Sequence, residues 1–174
     1  MKKLLLVIDY QNDFVNGSLG FPGAEKLAGP IAARIQEYRE NGDDVIFTLD
    51  THDAGYAETR EGKALPVSHC QKSCEGWKLF GELEELRKDS LCFEKETFGS
   101  AWLFHYLEGH GYASIELCGL VSSICVLSNA VLALTAQPNT PVLVDARLTA
   151  AADPAMNEKA LDILENLQVQ VAGR

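Results

Sequence analysis

The sequence predicts an α/β fold in which six parallel strands form one doubly wound sheet with helices on both faces. Short apolar runs alternate with segments of helical periodicity along the 174 residues. The first run, Leu4–Ile8, is apolar without interruption, which is typical of a parallel strand covered on both faces. Strict alternation of strands and helices favours right-handed crossovers, and therefore a parallel sheet.

The other elements follow in chain order. Apolar residues at helical spacing from Leu27 to Tyr38 predict the first long helix, with Pro30 tolerated in its first turn. Further helices are indicated near residues 79–86, at 101–110, from Cys125 onward, and after Asp153, which is an N-cap followed by proline. The remaining strands are predicted at 45–49, 91–93, 114–119, 141–145 and 169–171.

Two segments are predicted to be loops. The first, 11–23, is polar and rich in glycine, and the second, 50–76, shows no sustained period. A connection as long as the second is unusual in a compact domain and usually carries function.

Composition limits the classes of function. The chain suits one domain, 1–174, and its apolar and charged fractions of 47% and 23% are ordinary for a globular protein. A net charge of −10 argues against nucleic acid or an anionic membrane as the main partner, and no apolar run is long enough to span a bilayer. Five scattered cysteines, an odd number, indicate reduced thiols and a cytoplasmic location.

Reactive side chains follow four of the predicted strands. Asp9 follows the first, Asp50 the second, Lys95 the third and Cys125 the fourth. Because doubly wound sheets bind ligands beyond the carboxyl ends of their strands, we expect these four side chains to meet on one rim.

Cys125 is the candidate nucleophile. It opens a predicted helix, where the positive end of the macrodipole and free N–H groups favour a thiolate. Partial desolvation of Asp9 would raise its pKa toward a value useful for proton transfer, and Lys95 nearby would stabilise the shared negative charge. Each residue taken alone has a structural alternative: a buried cysteine, a turn-capping aspartate and a surface lysine.

A metal site is indicated beside this group. Asp50 and His52 project from the same side of an extended segment, and His69 joins them if the long loop folds back. Such donors suit zinc, or manganese or iron if waters complete an octahedron. A closed structural zinc site made by His52, His69, Cys70 and Cys74 is the alternative arrangement.

Taken together, these motifs resemble the isochorismatase-like cysteine hydrolases, and within them the nicotinamidase-like branch. The matching segments are 7–14, 50–52, His69, 93–95 and 119–126. The resemblance implies that Asp9, Lys95 and Cys125 are catalytic. It also implies a cis peptide bond before Val121, whose N–H would form an oxyanion hole with that of Cys125.

The resemblance implies the rest of the site as well. Asp50, His52 and His69 would bind a divalent metal, with zinc as the first choice, Glu61 as the better-spaced fourth ligand and Glu58 as the second candidate. Aromatic pocket walls would come from Phe14 and Trp102, with Trp77 or Phe98 as substitutes.

The implied activity is hydrolysis of a small amide through a cysteine thioester, with nicotinamide as the first-choice substrate. A related hydrolase of another small amide or carbamoyl compound is one alternative, and a non-catalytic binding or scaffold member is another. Nicotinamidases commonly carry an aromatic residue shortly before the histidine at position 69, where this chain has Pro66, Val67 and Ser68. A homo-oligomer is compatible with the resemblance.

Overall fold

The computed structural model describes residues 1–174 and contains one six-stranded sheet in which every neighbouring pair is parallel. The strands lie in the order β3-β2-β1-β4-β5-β6. Their bounds are β1 Leu4–Ile8, β2 Asp44–Asp50, β3 Leu91–Lys95, β4 Ile115–Leu120, β5 Val142–Ala150 and β6 Gln170–Ala172. The predicted doubly wound parallel sheet is confirmed.

Seven α-helices accompany the strands: α1 Asn12–Val15, α2 Ala28–Glu40, α3 Arg60–Ala64, α4 Leu83–Leu86, α5 Ala101–Glu108, α6 Leu127–Ala136 and α7 Pro154–Asn166. A π-helical turn, Ser122–Val126, leads directly into α6. The structure differs from the prediction at α1 and α3, which lie in segments predicted as loops. It also extends β5 to Ala150, beyond the predicted end at residue 145.

The sheet is covered on both faces because its central strand is apolar on both. Leu5 and Val7 lie in one hydrophobic cluster, and Leu4, Leu6 and Ile8 lie in the other. All five side chains are fully buried. Each contributes about 1.5–3 kcal/mol on leaving water, which is why an unbroken apolar run occupies this position.

Strand order reverses between β1 and β4, and their carboxyl ends form a crevice there. Ile8 and Gly119 are paired across these two strands. Gly119 has a φ of 106°, and a Cβ at this position would overlap the carbonyl oxygen of Ile8. Glycine therefore permits the close approach of the strands at the point where ligands bind in doubly wound sheets.

Two side-chain caps fix helices that border this crevice. The Ser100 hydroxyl accepts a hydrogen bond from the Leu103 N–H at the start of α5. The Asp153 carboxylate accepts one from the Ala155 N–H at the start of α7, where Pro154 is the first helical residue, as predicted. Among the seven helices, none has the length and apolar character needed to cross a bilayer.

Candidate active site

Three of the predicted residues meet at the carboxyl ends of neighbouring strands. Asp9 directly follows β1, Lys95 ends β3, and Cys125 lies in the π-helical turn after β4. The Lys95 Nζ lies 2.6 Å from the Asp9 Oδ2 and 3.7 Å from the Cys125 Sγ. All three residues are buried. The structure thus assembles a carboxylate, an ammonium and a thiol in a water-poor site.

Asp9 has the environment of a strengthened base. Burial raises the pKa of Asp9, and the charge of Lys95 opposes this rise while that of Asp50 adds to it. The Thr48 hydroxyl donates a 2.6 Å hydrogen bond to Asp9 Oδ1 and so orients the carboxylate from β2. Asp9 therefore takes up a proton more readily than an exposed aspartate does.

Cys125 has a different resting state from the one expected of a cysteine at a helix start. Burial raises the pKa of its thiol well above the ordinary value, and Lys95 offsets this only in part. A hydrogen bond with Asp9 raises the pKa further. The expectation that the helix start favours a thiolate is corrected in one respect: burial acts against the helix terminus and favours the protonated thiol.

Lys95 remains a cation in this site. Burial by itself lowers the pKa of Lys95, but the nearby Asp9, Cys125 and Asp50 outweigh burial and raise it. Its ammonium lies 3.3 Å from the Asp50 Oδ1 and donates a 3.0 Å hydrogen bond to the carbonyl of Thr97. Lys95 therefore carries a fixed positive charge between the two aspartates.

A second cluster adjoins the first through Asp50. The ligand atoms of Asp50, His52 and His69 lie within 4.8 Å of one another, and all three residues are buried. The Nδ1 of His69 bonds to the carbonyl of Val67 at 2.8 Å, which leaves Nε2 facing Asp50. One carboxylate and two imidazoles in a buried group fit a divalent transition metal, since these are its usual ligands.

Glu61 lies beside this cluster, and Glu58 does not. The Glu61 Oε1 is 3.8 Å from the His69 Nε2, and Glu61 lines the same cavity as Cys125. Burial raises the pKa of Glu61, and the charge of Asp50 adds to the rise. The side chain of Glu58 is exposed, in a 3₁₀ turn. The geometry favours Glu61 over Glu58 as a fourth ligand.

Asp50 stays ionised in the cluster. Burial alone would raise the pKa of Asp50, but hydrogen bonds with His52 and His69 and the charge of Lys95 outweigh burial and lower it.

The cysteines of the alternative zinc arrangement lie elsewhere. Cys70 packs in the hydrophobic core, and Cys74 is exposed.

Two residues of the first motif support the metal cluster and were not assigned a role from the sequence. Gln11 accepts a 2.8 Å hydrogen bond from the Asp50 N–H and donates one of 2.8 Å to the Asp50 carbonyl. The Asp13 Oδ2 accepts a 2.7 Å hydrogen bond from the N–H of Cys70, the residue after His69. Asp9, Gln11 and Asp13 occupy alternating positions in the first motif, which is the sequence signal for a shared role. Their hydrogen-bonding partners lie far away in the sequence, so the role of each residue could not be predicted from the motif.

The turn before Cys125 has the backbone form that the resemblance implied. The Leu120–Val121 peptide bond is cis. The Val121 carbonyl accepts hydrogen bonds from the N–H groups of Ile124 and Val126, at 3.1 and 3.2 Å. Val121 and Cys125 both line the cavity, so this turn forms part of the cavity wall near the sulfur.

A cavity of about 490 Å³ opens over Cys125, Asp50, Glu61 and His69. Phe14 lines it, and its ring centroid is 5.6 Å from that of His69. Trp102 does not line this cavity. It lies on the outer side of α5 with 70% of its surface exposed and borders a separate hollow. Phe98, the predicted substitute, lines the cavity in its place.

Known proteins resemble the chain over its full length. The family model for the isochorismatase domain matches residues 3–174. A nicotinamidase of Saccharomyces cerevisiae is 26% identical over 99% of this chain and 100% of its own. The crystal structure of the nicotinamidase/pyrazinamidase PncA from Bacillus subtilis has a TM-score of 0.86 and 33% identity, covering 99% and 100% of the two chains. That of N-carbamoylsarcosine amidase from Thermoplasma acidophilum has a TM-score of 0.80 and 25% identity, covering 99% and 96%.

Proposed function

This chain belongs to the isochorismatase family, and we propose that it is a cysteine amidohydrolase that converts nicotinamide and water to nicotinate and ammonia. The observation that carries the proposal is the buried contact of Asp9, Lys95 and Cys125 beside the Asp50 cluster, with Cys125 and Asp50 opening on one cavity. A scaffold protein has no need of a buried base, cation and thiol at this spacing. The similarity to nicotinamidases supports the choice of substrate.

In the first half-reaction, Asp9 takes the Cys125 proton as the sulfur attacks the amide carbonyl carbon. A C–S bond forms, and the carbonyl π electrons move to oxygen. The N–H groups of Val121 and Cys125 stabilise that oxyanion in our assignment. Lys95 stabilises the developing negative charge throughout. Protonated Asp9 then gives its proton to nitrogen, the C–N bond breaks, and ammonia leaves a thioester on Cys125.

In the second half-reaction, Asp9 removes a proton from a water that attacks the thioester. The C–S bond breaks, nicotinic acid leaves and loses its remaining proton to solvent as nicotinate, and Asp9 returns its proton to the sulfur. Each half-reaction uses Asp9 once as a base and once as an acid, which suits a carboxylate whose pKa is raised by burial.

The metal cluster has a positioning role in this proposal. Asp50, His52, His69 and Glu61 would bind a divalent ion, zinc being our first choice and manganese or iron the alternatives. When bound, such an ion would supply Lewis acidity toward the pyridine nitrogen of the substrate. Phe14 and Phe98 would then flank the ring, because flat rings pack well on aromatic walls.

A second candidate function is hydrolysis of a different small amide or a carbamoyl compound. The observation that favours it is the segment Pro66-Val67-Ser68, which lacks an aromatic residue before His69. The similarity to N-carbamoylsarcosine amidase is compatible with it. The Asp50 cluster favours nicotinamide, because a ring nitrogen is a good metal ligand and an aliphatic carbamoyl compound has none.

We also propose a cytoplasmic location. All five cysteines are free, which is compatible with a reducing compartment. The homo-oligomer that the resemblance allows stays a prediction, which light scattering would test.

Ammonia release tests the proposed function. We expect release from nicotinamide and its loss after treatment with a chelator, measured beside a panel of small aliphatic amides and carbamoyl compounds. Cys125→Ala should abolish turnover. Cys118→Ala, which changes an equally buried cysteine away from the cavity, should retain it. Release from the aliphatic panel alone would favour the second candidate. Release from no compound would favour a scaffold.

A further inference from the structure

The cavity over Cys125 is larger than a single-ring amide requires. Cavities of about 300–1,000 Å³ bury most of a drug-sized ligand, and this one measures about 490 Å³. Nicotinamide, one six-membered ring with one amide group, would occupy only the inner part, between Cys125, the Asp50 cluster, Phe14 and Phe98. The outer part of the cavity therefore needs an explanation of its own.

The outer part is an apolar wall built from four separate segments. We name it the outer wall and define it by six residues: Leu19, Phe21, Leu65, Ile124, Ala152 and Met156. Isolated exposed apolar side chains are ordinary on a protein surface. Here, however, Leu65, Ile124 and Met156 are 37%, 40% and 44% exposed and all face one cavity. Their convergence at the mouth of an active site points to a ligand.

Charge at the mouth does not compete with this interpretation. Asp153 is engaged in capping α7 through the Ala155 N–H. The guanidinium of Arg60 lies over the Phe98 ring, 6.0 Å from its centroid. Both groups thus have contacts within the protein, and the six residues of the outer wall offer an apolar surface for a ligand's outer part.

The fold also decides which side of the amide faces the outer wall. The leaving nitrogen must reach Asp9 to take its proton. Asp9 is fully buried, is packed against Lys95 and Thr48, and does not line the cavity. That side has no room for a substituent on nitrogen. A larger substrate must therefore extend from its acyl side, across the ring and toward the outer wall.

We propose that the outer wall is a binding subsite for an apolar substituent on the ring of an aromatic carboxamide. This inference rests on the proposed function and extends it. The preferred substrates are primary amides of alkyl-substituted pyridine carboxylic acids, hydrolysed by the same steps as nicotinamide. Secondary amides with the same alkyl group on nitrogen are poor substrates.

The test compares kcat/KM for nicotinamide with that for nicotinamides carrying methyl, ethyl or propyl on either of the two free ring carbons that are not adjacent to the ring nitrogen. Burial of one methylene is worth about a fourfold gain, so the best propyl isomer, with three added carbons, should exceed nicotinamide by roughly 60-fold. N-propylnicotinamide should show no gain. Met156→Ala should lower the ratio of propyl to unsubstituted substrate by about threefold or more. Ile163→Ala, which changes a residue of the same helix that is 48% exposed and off the cavity, should leave the ratio unchanged.

The failures of the two proposals can be told apart. Hydrolysis of nicotinamide with no gain for any ring-alkyl isomer overturns the subsite and leaves the proposed function standing. The same holds for a gain that Met156→Ala does not reduce. No ammonia from nicotinamide or from any substituted form overturns the proposed function itself.

Discussion

Removing the charge of Lys95 is the sharpest perturbation of the proposed catalytic group. In Lys95→Met, the buried Asp9 carboxylate loses an ammonium at 2.6 Å. At an effective dielectric of about 20, two unit charges at that separation attract by about 6 kcal/mol. The cost of removing both charges from water offsets part of this attraction. The free energy of unfolding should therefore fall by about 3–5 kcal/mol, as it does when other buried ion pairs are broken.

The chain contains a matched control at the same distance. Lys72 Nζ lies 2.6 Å from the Glu94 Oε2, but the two side chains are 57% and 41% exposed, against 2% and 0% for Lys95 and Asp9. Lys72→Met should therefore cost about 1 kcal/mol or less. Urea unfolding of both variants compares the two ion pairs directly.

The pH dependence of catalysis gives a second test of the Lys95→Met variant. Lys95 lowers the pKa of Asp9, so its removal raises that pKa further. The reaction needs Asp9 ionised, and ionisation is lost as pH falls through its pKa. The acid limb of kcat/KM should therefore move to higher pH, and the rate at neutral pH should fall by about 10²- to 10⁴-fold. A stable Lys95→Met enzyme with an unmoved acid limb would refute the electrostatic argument.

Two further predictions concern the supports of the site. Asp13→Ala removes the acceptor of the Cys70 N–H next to His69 and should weaken metal affinity by about 10- to 100-fold in a chelator competition. Asp13→Asn should remain closer to wild type, and equal metal affinities of Asp13→Ala and wild type would assign Asp13 to folding alone. Thr48→Val removes a hydrogen bond to the ionised Asp9, so the pKa of Asp9 should rise and the acid limb of kcat/KM should shift to higher pH. A fall in rate without that shift would contradict the role of Thr48 in stabilising the Asp9 carboxylate.

Local pattern was sufficient for the sheet, because the residues that decide it are contiguous. The run Leu4–Ile8 and the Asp153-Pro154 pair carry their structural meaning in their immediate neighbours. The helix α3 was missed for the opposite reason. It is short, its cap comes from Thr59, and Gly62 packs so closely on the carbonyl of Tyr56 that a Cβ would overlap it. A local cap and a close contact with the preceding turn, more than periodicity, set this helix.

The parts of the site that lie at strand ends could be predicted from the sequence. The properties that depend on burial of a side chain could be predicted less well. Position after a strand was enough to bring Asp9, Lys95 and Cys125 to one rim. Position did not reveal that burial would raise the pKa of the Cys125 thiol, since burial depends on the whole packed core. Nor did it reveal that Trp102 would face away from the cavity, because α5 presents a different side to the sheet.

The central claim is that Cys125 forms a thioester with the acyl part of nicotinamide. Acid quenching during turnover, followed by peptide mass spectrometry, measures this directly. The account predicts a nicotinoyl adduct on the peptide that contains Cys125, with ammonia released before nicotinate. Turnover of nicotinamide with the acyl group on another cysteine, or on none while Cys125→Ala remains active, would contradict it.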